Sequence, residues 1–370
     1  MNLVLLTLSM ILLARTRAFR SNTFWLPAPL LPSSRLSVAS RPANIKCTGA
    51  FKKRLPDIYV SSTHYRRALR SLKEVKADKS IKNYRNQCRK LSAQTLDHLM
   101  KSLTKPISEI LDSYKRVLRD LHPYEATVAD LTIATRVKAG HPHLDTVLAD
   151  LKELRMQTSR LAKDHASRAS KASSAEDAKE ILESGMDALQ ELYGDPARSG
   201  ALAELLGVQN DLRRIPVIEL STPTVVLIGS PNVGKSSIVN KVSTGRPEIN
   251  DYPFTTRGVT IGHITDDARN VRFQVMDTPG LLDRPTEERN EMENLTFASL
   301  AHLPTAVIFV FDPSGLSGEK SSFDAQLNIR NRLRTQFPKR PWLDVVSKMD
   351  LDISPDILTT VPDGYLPISV

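Results

Sequence analysis

A chain of 370 residues is long enough for two packed domains, and 41% hydrophobic with 25% charged residues is the composition of an ordinary globular protein. Its two cysteines, Cys47 and Cys88, lie far apart without a histidine at metal-ligand spacing, which excludes a disulfide framework and a zinc site. The net charge of +10 is unevenly distributed along the chain. Residues 1–50 contain six basic and no acidic residues, and residues 51–220 contain 30 basic and 23 acidic residues. Residues 221–370 contain 15 basic and 18 acidic residues.

Residues 1–50 are predicted to be a disordered targeting leader. The run LVLLTLSMILLA at residues 3–14 is too short to span a bilayer, which takes about 20 residues, and it fits the hydrophobic part of a cleaved signal. Residues 20–46 contain three arginines, several serines and no acid, which is typical of an organelle transit peptide. The small residues Thr16 and Ala18 precede a possible cut before Phe19. The whole resembles the two-part plastid leaders of algae with secondary plastids.

The leader therefore predicts a plastid location, with a mitochondrion as the alternative. A cytosolic protein with an apolar tail would have to account for fifty residues without one carboxylate. No stable association with a membrane is expected after the leader is removed.

Residues 51–218 are predicted to form a basic helical bundle. The stretch ISEILDSYKRVLRDL spaces its apolar residues by three and four, the pattern of an amphipathic helix, at Ile107, Ile110, Leu111, Tyr114, Leu118 and Leu121. The same spacing recurs at Leu144, Val147, Leu148, Leu151 and Leu154. Around SRASKASSAED, residues 167–177, large apolar residues disappear. A polar turn of a long helical hairpin is expected there.

The front of this bundle is strongly basic. From Lys52 to Lys90 the chain carries 13 basic and three acidic residues. Such a patch favours RNA or another polyanion as a partner. A solvated helix face is the equally compatible alternative.

Residues 219–370 change to short apolar runs separated by turns. The runs are TVVLIG, VTIGHI, VRFQVMD, AVIFVFD, WLDVVSK and LPISV, and helical stretches such as KSSIVNKVS lie between most of them. Runs of Val, Ile and Phe alternating with helices predict a mostly parallel sheet covered on both faces.

The first strand leads into GSPNVGKSS, which matches GxxxxGK[ST] with a strand before it and a helix after it. In such a loop, backbone N–H groups face the phosphates of a nucleotide, Lys235 reaches the terminal phosphates and the Ser236 hydroxyl binds Mg²⁺. The predicted contact residues are Gly229, Ser230, Pro231, Asn232, Val233, Gly234, Lys235, Ser236 and Ser237.

Two further elements are predicted to contact the γ-phosphate and the metal. In YPFTTRG a hydroxyl can complete the metal shell, and Thr256 is favoured over Thr255, with Phe254 beside them. In DTPG, Asp277 can hold the metal through water and the Gly280 N–H can meet the γ-phosphate, with Thr278 and Pro279 in the same turn. Ser236, Thr256 and Asp277 are thus the predicted metal residues.

The base-reading element is SKMD, where the expected pattern is Asn-Lys-x-Asp. Asp350 can accept hydrogen bonds from the guanine N1 and N2 edge, Lys348 can lie along the ring, and Ser369 can back the base. Ser347 replaces the asparagine, and its shorter hydroxyl is expected to connect the adjoining loops less well. Since only Asp350 argues for guanine, an ATPase is an alternative.

With these motifs in place, the chain resembles the family of nucleolar GTP-binding protein 1, in the Obg-like branch of the translation-factor-related GTPases. The resemblance rests on GSPNVGKSS, YPFTTRG, DTPGLLDRPTEERNEME and ASLAHLP, and on DLRRIPVIELSTPTVVLIG and LHPYEATVADL, over roughly residues 55–370. It implies an N-terminal helical bundle followed by an Obg-type P-loop GTPase domain. The leader points away from the nucleolus, and the chain stops without the family's last helix, as a truncated sequence would.

The resemblance also implies function. It predicts a slow GTPase that binds GTP, GDP and Mg²⁺ and acts on the pre-ribosomal large subunit and its rRNA, here on organellar ribosomes. Leu281 stands where many such enzymes carry a water-orienting glutamine. In related GTPases with PNVGKS, the asparagine helps bind K⁺, so Asn232 joins Lys235, Thr256 and Gly280 as predicted catalytic residues, Leu281 pointing away. The alternatives are a loop-shaping Asn232, a non-hydrolysing rRNA-binding module and a soluble regulatory switch.

Overall fold

The computed structural model describes residues 54–254, 258–266, 271–284, 290–318 and 321–369. The predicted leader, Lys52, Lys53, Thr255 and Thr256 lie outside the described residues. The chain divides into two compact units. Described residues 122–131 and 214–369 form unit 1, and residues 54–121 and 132–213 form unit 2. Residues 122–131 thus belong with the sheet-containing unit, although they fall within residues 51–218 of the predicted bundle.

Unit 2 consists of helices. In chain order the helices are α1 (Ser61–Ser71), α2 (Tyr84–Arg119), α3 (Pro123–Lys138), α4 (Leu144–Ser170), α5 (Ala175–Gly194), α6 (Pro196–Ser199) and α7 (Ala201–Arg214). The first part of α3 and the last residue of α7 belong to unit 1. The helices α2, α4 and α5 pack against one another and form the body of this unit.

The predicted apolar stripes face the interior of unit 2. Along α2, Ile107, Ile110 and Tyr114 are buried, and the stripe continues at Val117, while Leu118 is half-buried. Along α4, Leu144, Val147, Leu151 and Leu154 are buried. The polar turn predicted within residues 167–177 is confirmed: α4 ends at Ser170, and the Ser174 side chain caps α5 by accepting from the Asp177 N–H.

Unit 1 contains a sheet of seven strands among the described residues, in the order β2-β3-β4-β1-β5-β6-β7. The strands are β1 (Thr224–Ile228), β2 (Glu248–Asn250), β3 (Val259–Asp266), β4 (Val271–Asp277), β5 (Thr305–Phe311), β6 (Trp342–Val346) and β7 (Leu366–Pro367). The helices between them are α8 (Lys235–Val242), α9 (Glu291–His302), α10 (Phe323–Gln336) and α11 (Pro355–Thr360).

Five strands, β4, β1, β5, β6 and β7, run parallel, and β3 and β2 continue the sheet in antiparallel pairs. The prediction of a mostly parallel sheet flanked by helices is therefore confirmed. The three-residue strand β2 was not predicted, because so short a strand with exposed residues leaves no apolar period to detect.

The sheet divides the core of unit 1 into two layers. Successive residues of a strand point to opposite faces, so Val225 and Leu227 of β1 join one buried cluster and Val226 and Ile228 join the other. Strands β1 and β5 lie at the centre of the sheet, and every residue of both is buried. The turns that follow their carboxyl ends are therefore attached to well-packed strands.

Two buried tyrosine hydroxyls meet in unit 1. The hydroxyl of Tyr124, near the start of α3, lies 2.9 Å from that of Tyr252, which precedes Thr255 by three residues. The rings of Tyr252 and Phe254 are tilted against each other at 5.5 Å.

Within the described ranges, no helix is long and apolar enough to span a membrane.

Candidate nucleotide-binding site

The loop that joins β1 to α8 has the backbone that its glycines predict. A Cβ on Gly229 would lie 2.4 Å from the Val310 carbonyl oxygen, so only glycine fits there. Gly234 has a φ of 96°, in the left-handed region that glycine adopts without steric cost. Asn232 has a φ of 62°, and asparagine tolerates this region better than most residues. Its side chain is exposed.

Lys235 opens α8 and is buried at 6% exposure. Its Nζ donates to the backbone oxygens of Gly229 at 3.2 Å and Ser230 at 2.7 Å, so the ammonium lies inside the curve of the loop. Burial lowers the pKa of Lys235 to about 8, although the negative charge of Asp277 opposes the shift. The hydroxyl of Ser230 is buried within the same loop and has no hydrogen-bond partner among the described residues.

Ser236 and Asp277 bring two oxygen groups together. The Ser236 hydroxyl donates to Asp277 Oδ2, while Asp277 Oδ1 is buried without a partner among the described residues. Burial raises the pKa of Asp277, against the hydrogen bond from Ser236 and the charge of Lys235, which lower it. A hydroxyl beside a carboxylate with an unused oxygen is the type of ligand set that Mg²⁺ takes, so the residues present fit the predicted metal.

The DTPG turn after β4 packs directly on the phosphate loop. A Cβ on Gly280 would lie 2.5 Å from the backbone nitrogen of Pro231, so the two loops approach at a distance that only glycine permits. The Leu281 N–H donates to the Gly229 carbonyl at 3.0 Å, and the Thr278 hydroxyl donates to the Leu227 carbonyl at 2.7 Å.

Leu281 is 2% exposed and belongs to the core cluster of Val226, Ile228 and Leu300. The expectation that it points away from the phosphates is confirmed. Its side chain therefore contributes to packing, and only its backbone lies at the turn.

The SKMD segment follows β6 and reaches both neighbouring loops. The buried Ser347 hydroxyl lies 2.7 Å from the Val233 carbonyl and 2.9 Å from the Phe311 carbonyl. Ser347 thus reaches both adjoining loops, and the expectation that it connects them less well than an asparagine would stays a prediction. A hydroxyl has one proton, however, so it serves the two acceptors alternately or shares its proton between them.

Lys348 has a φ of 58°, and its Nζ lies 2.6 Å from Asp312 Oδ2. The buried Asp312 also accepts from the Ser314 N–H and hydroxyl at 3.0 and 2.6 Å and from the Ser317 hydroxyl. Burial alone would raise the pKa of Asp312, but these hydrogen bonds and that from Lys348 outweigh it and lower the pKa. The residue thus remains an anion that orients Lys348.

Asp350 is exposed, and the Ser369 hydroxyl donates to its Oδ1 at 2.7 Å. That hydrogen bond is the main cause that lowers the pKa of Asp350, so the carboxylate is ionised and able to accept. Both residues were predicted from the sequence, but their mutual contact was not.

Three residues of this region were not predicted as functional. Asp312 ends the apolar run AVIFVFD, and a lone acid after a buried strand is a signal that could have been used. Glu293 and Arg284 lie in the DRPTEERNEME run, where their pairing depends on the fold and no local pattern reveals it. The predicted metal residue Thr256 and its neighbour Thr255 lie outside the described residues.

Two regions of the chain match two different protein families. Residues 53–219 match the family described as the NOG1 N-terminal helical domain, and residues 224–348 match the family described as 50S ribosome-binding GTPase.

Curated relatives carry one name. Nucleolar GTP-binding protein 1 of Drosophila melanogaster is 30% identical over 245 residues, which are 66% of this chain and 36% of that protein. The Arabidopsis thaliana protein of that name is 31% identical over 266 residues, 72% of this chain and 38% of that one. The Encephalitozoon cuniculi protein is 39% identical over 144 residues, 39% of this chain and 26% of that one. The chain spans well under half the length of each.

The plastid location predicted from the leader is wrong on this comparison. The matched relatives are named as nucleolar proteins in fly, plant and worm alike, which points to the nucleolus. The composition of residues 1–50 led to the opposite expectation.

The resemblance carried by the motifs is confirmed, because the two matched regions occur in the order that the motifs predicted and the relatives share one name. Over these regions the chain belongs to the family of nucleolar GTP-binding protein 1.

Proposed function

We propose that this protein is a GTP-binding and GTP-hydrolysing switch that acts in the assembly of the large ribosomal subunit. One observation carries the nucleotide part: the phosphate loop, the Ser236–Asp277 oxygen pair and the SKMD segment all lie at the carboxyl edge of the parallel strands β4, β1, β5 and β6. Ligands of open α/β sheets bind at that edge. The ribosomal part is supported by the family description of a ribosome-binding GTPase and by the relatives' names.

Each element has a proposed role. Backbone N–H groups of residues 229–237, other than Pro231, and the Lys235 ammonium bind the phosphates, and the Gly280 N–H meets the γ-phosphate. Ser236, Thr256 and Asp277 would hold Mg²⁺, which when bound would supply positive charge to offset that of the phosphates. Asp350 reads the guanine edge, while Lys348 lies along the base and Ser369 supports Asp350. The Asp312 carboxylate keeps Lys348 in place.

The RNA part rests on unit 2. In α1, Arg66, Arg67 and Arg70 are exposed, whereas His64, Tyr65 and Ala68 face the interior. The basic residues of this helix therefore present charge to solvent on one side, which suits contact with RNA phosphates.

Phosphate release tests the proposal and its alternatives together. GTP and ATP are supplied in turn, with and without large-subunit precursor particles. We expect release from GTP only, at a low intrinsic rate that rises with the particles. Release from ATP at the same rate would establish an ATPase. GTP binding without release, even with particles, would establish a non-hydrolysing module.

Lys235 gives a pH dependence to nucleotide binding. Its pKa is lowered by burial to about 8, and the phosphates of bound GDP should raise it, because a nearby anion favours the charged form. Binding at pH 8.5 should therefore take up a proton, whereas at pH 7 the lysine is already charged. As the pH rises above about 8, affinity should fall, by up to about tenfold per pH unit.

Calorimetric titration with GDP in two buffers of different ionisation enthalpy measures this uptake. Lys235→Arg is the control, because arginine stays charged throughout this pH range. Equal heats in both buffers at pH 8.5 would show that binding takes up no net proton and would contradict this prediction.

Asp350→Asn should weaken GTP binding and relax discrimination against xanthine nucleotides, because the carboxylate loses its match to the guanine N1–H and N2–H₂ donors. The expected loss is about 1 to 3 kcal/mol for each donor left unpaired. Ser347→Asn should instead tighten binding, since an amide has two N–H donors for the Val233 and Phe311 carbonyls. Equilibrium binding of fluorescent GTP and XTP analogues measures both. Unchanged GTP affinity in Asp350→Asn would mean that the base is read elsewhere.

Hydrolysis should be faster in K⁺ than in Na⁺. The proposal is that the exposed Asn232 amide would help to hold K⁺. The ion would supply the positive charge that an arginine finger supplies in other GTPases, which is worth about 10³ to 10⁵ in rate. Asn232→Gly removes the amide but permits the φ of 62°, so it tests the amide without straining the loop. Equal rates in the two salts, unchanged in Asn232→Gly, would leave Asn232 with a loop-shaping role only.

Reversal of Arg66, Arg67 and Arg70 to glutamate should reduce association with large-subunit precursor particles and leave GTP affinity nearly unchanged. Phosphate contacts release counterions, so association should fall steeply with salt, by about 0.7 to 0.9 in the log-log slope for each contact. Co-sedimentation at two or more salt concentrations measures the slope for wild type and variant.

The matched control reverses three exposed lysines of α2 outside the basic stretch, Lys101, Lys105 and Lys115. An equal loss in both variants would indicate a general charge effect. Wild-type protein that never co-sediments, even with a non-hydrolysable GTP analogue, would favour the soluble switch.

A further inference from the structure

Glu293 is a carboxylate in the first turn of α9 with 1% exposure. It takes part in a capping box, in which the Asn290 side chain accepts from the Glu293 N–H at 2.8 Å and Glu293 accepts from the Asn290 N–H at 3.1 Å. Such a box satisfies two of the N–H groups at the helix end and needs no further contact from the carboxylate.

The Glu293 carboxylate nevertheless makes additional contacts with the turn that follows β4. Its Oε1 accepts from the Leu282 N–H at 3.1 Å, and its Oε2 accepts from Arg284 Nε at 2.9 Å and Nη2 at 2.8 Å. A buried carboxylate is stable only when paired and hydrogen-bonded, and Arg284 supplies the pairing charge. One side chain thus fixes the backbone at Leu282 and at Asn290.

The contact at Leu282 completes a series of restraints along three consecutive residues. Gly280 lies against the Pro231 backbone, and Leu281 is fixed by its buried side chain and by its N–H bond to the Gly229 carbonyl. The Leu282 N–H is then fixed by Glu293. The backbone that carries the Gly280 N–H is therefore restrained on both sides.

The next two residues are held from α10. Arg332 Nη1 donates to the Arg284 carbonyl at 2.9 Å and lies 3.5 Å from the Asp283 carboxylate. Asn328 Nδ2 donates to Asp283 Oδ2 at 3.1 Å. Arg284 therefore contacts Glu293 through its side chain and α10 through its backbone, so it is a fixed partner for the carboxylate.

We propose that Glu293 is a positioning residue that holds the Gly280–Leu282 backbone in place for the γ-phosphate of GTP. The inference rests on the proposed function as a GTP switch. Leu281 contributes no polar side chain at this turn, so the geometry around the γ-phosphate depends on the backbone, and the backbone depends on Glu293. GDP has no γ-phosphate, and its binding is independent of this restraint.

The test is Glu293→Gln, which keeps the size of the side chain and a capping-box residue type. Its amide keeps one accepting oxygen, so its NH₂ must face either the Leu282 N–H or the donors of Asn290 and Arg284, and the charge pairing with Arg284 is lost. GDP affinity should stay within about twofold of wild type. Affinity for a non-hydrolysable GTP analogue should fall about tenfold, and single-turnover hydrolysis of GTP should slow by at least as much.

Asp344→Asn is the matched control. Asp344 is also a buried carboxylate of unit 1, bonded to Arg330 at 2.7 and 3.3 Å and to Trp342 Nε1 at 2.8 Å, but it lies within β6 and makes no contact with the turn. Loss of the Asp344 carboxylate should lower the melting temperature of the protein without changing the ratio of its affinities for the GTP analogue and for GDP. Arg284→Ala removes the partner of Glu293 from a position that is partly exposed, and it should reproduce the selective loss if Glu293→Gln does not fold.

The outcomes separate two failures. Wild-type protein that neither binds the analogue nor hydrolyses GTP would overturn the proposed function and this inference with it. Wild-type protein that does both, with an unchanged affinity ratio and rate in Glu293→Gln and Arg284→Ala, would overturn the inference alone. A loss of GDP and analogue affinity in equal proportion, as a general loss of stability produces, would also overturn it.

Discussion

The close approach of Gly280 to the Pro231 backbone is the constraint on which the candidate site depends. Strands β1 and β4 are parallel neighbours, and their register places Leu227 opposite Asp277, so the two loops that follow them must leave the sheet side by side. A side chain on Gly280 would overlap the phosphate loop. The glycine therefore brings the turn that follows Asp277 against the loop that carries Lys235, and both phosphate elements act as one surface.

That contact also explains the electrostatics of the site. Lys235 and Asp277 are both mainly buried, and burial disfavours the charged form of each, which lowers one pKa and raises the other. Their mutual attraction opposes both shifts without cancelling them. A polyanion near Lys235 and a cation near Asp277 would each favour the charged form. The Lys235 ammonium and the Asp277 carboxylate, which lie side by side, are therefore suited to bind a phosphate and its counterion.

The parts of the structure that follow local rules could be predicted from sequence. Apolar runs predicted the central strands, and apolar residues spaced by three and four predicted the buried stripes of α2 and α4. The GxxxxGK[ST] pattern located the loop that contains Gly229 and Lys235. The parts that depend on residues far apart in the chain could not be predicted. The Ser347 bonds to Val233 and Phe311 and the Lys348 pair with Asp312 arise only when β5, β6 and the phosphate loop meet. The plastid prediction rested on the composition of residues 1–50 alone, and the names of the matched relatives contradict it.

Leu281 and Glu293 together show how the turn keeps its shape without a polar residue after the DTPG segment. The side chain of Leu281 is committed to the core, which anchors the turn from within. The Glu293 carboxylate then supplies, from α9, the acceptor that the Leu282 N–H needs, and Arg284 balances its charge. Because both anchors belong to packed elements, the turn takes its precision from the sheet and from α9. A partner that shifted α9 would therefore move the Gly280 N–H without touching the nucleotide.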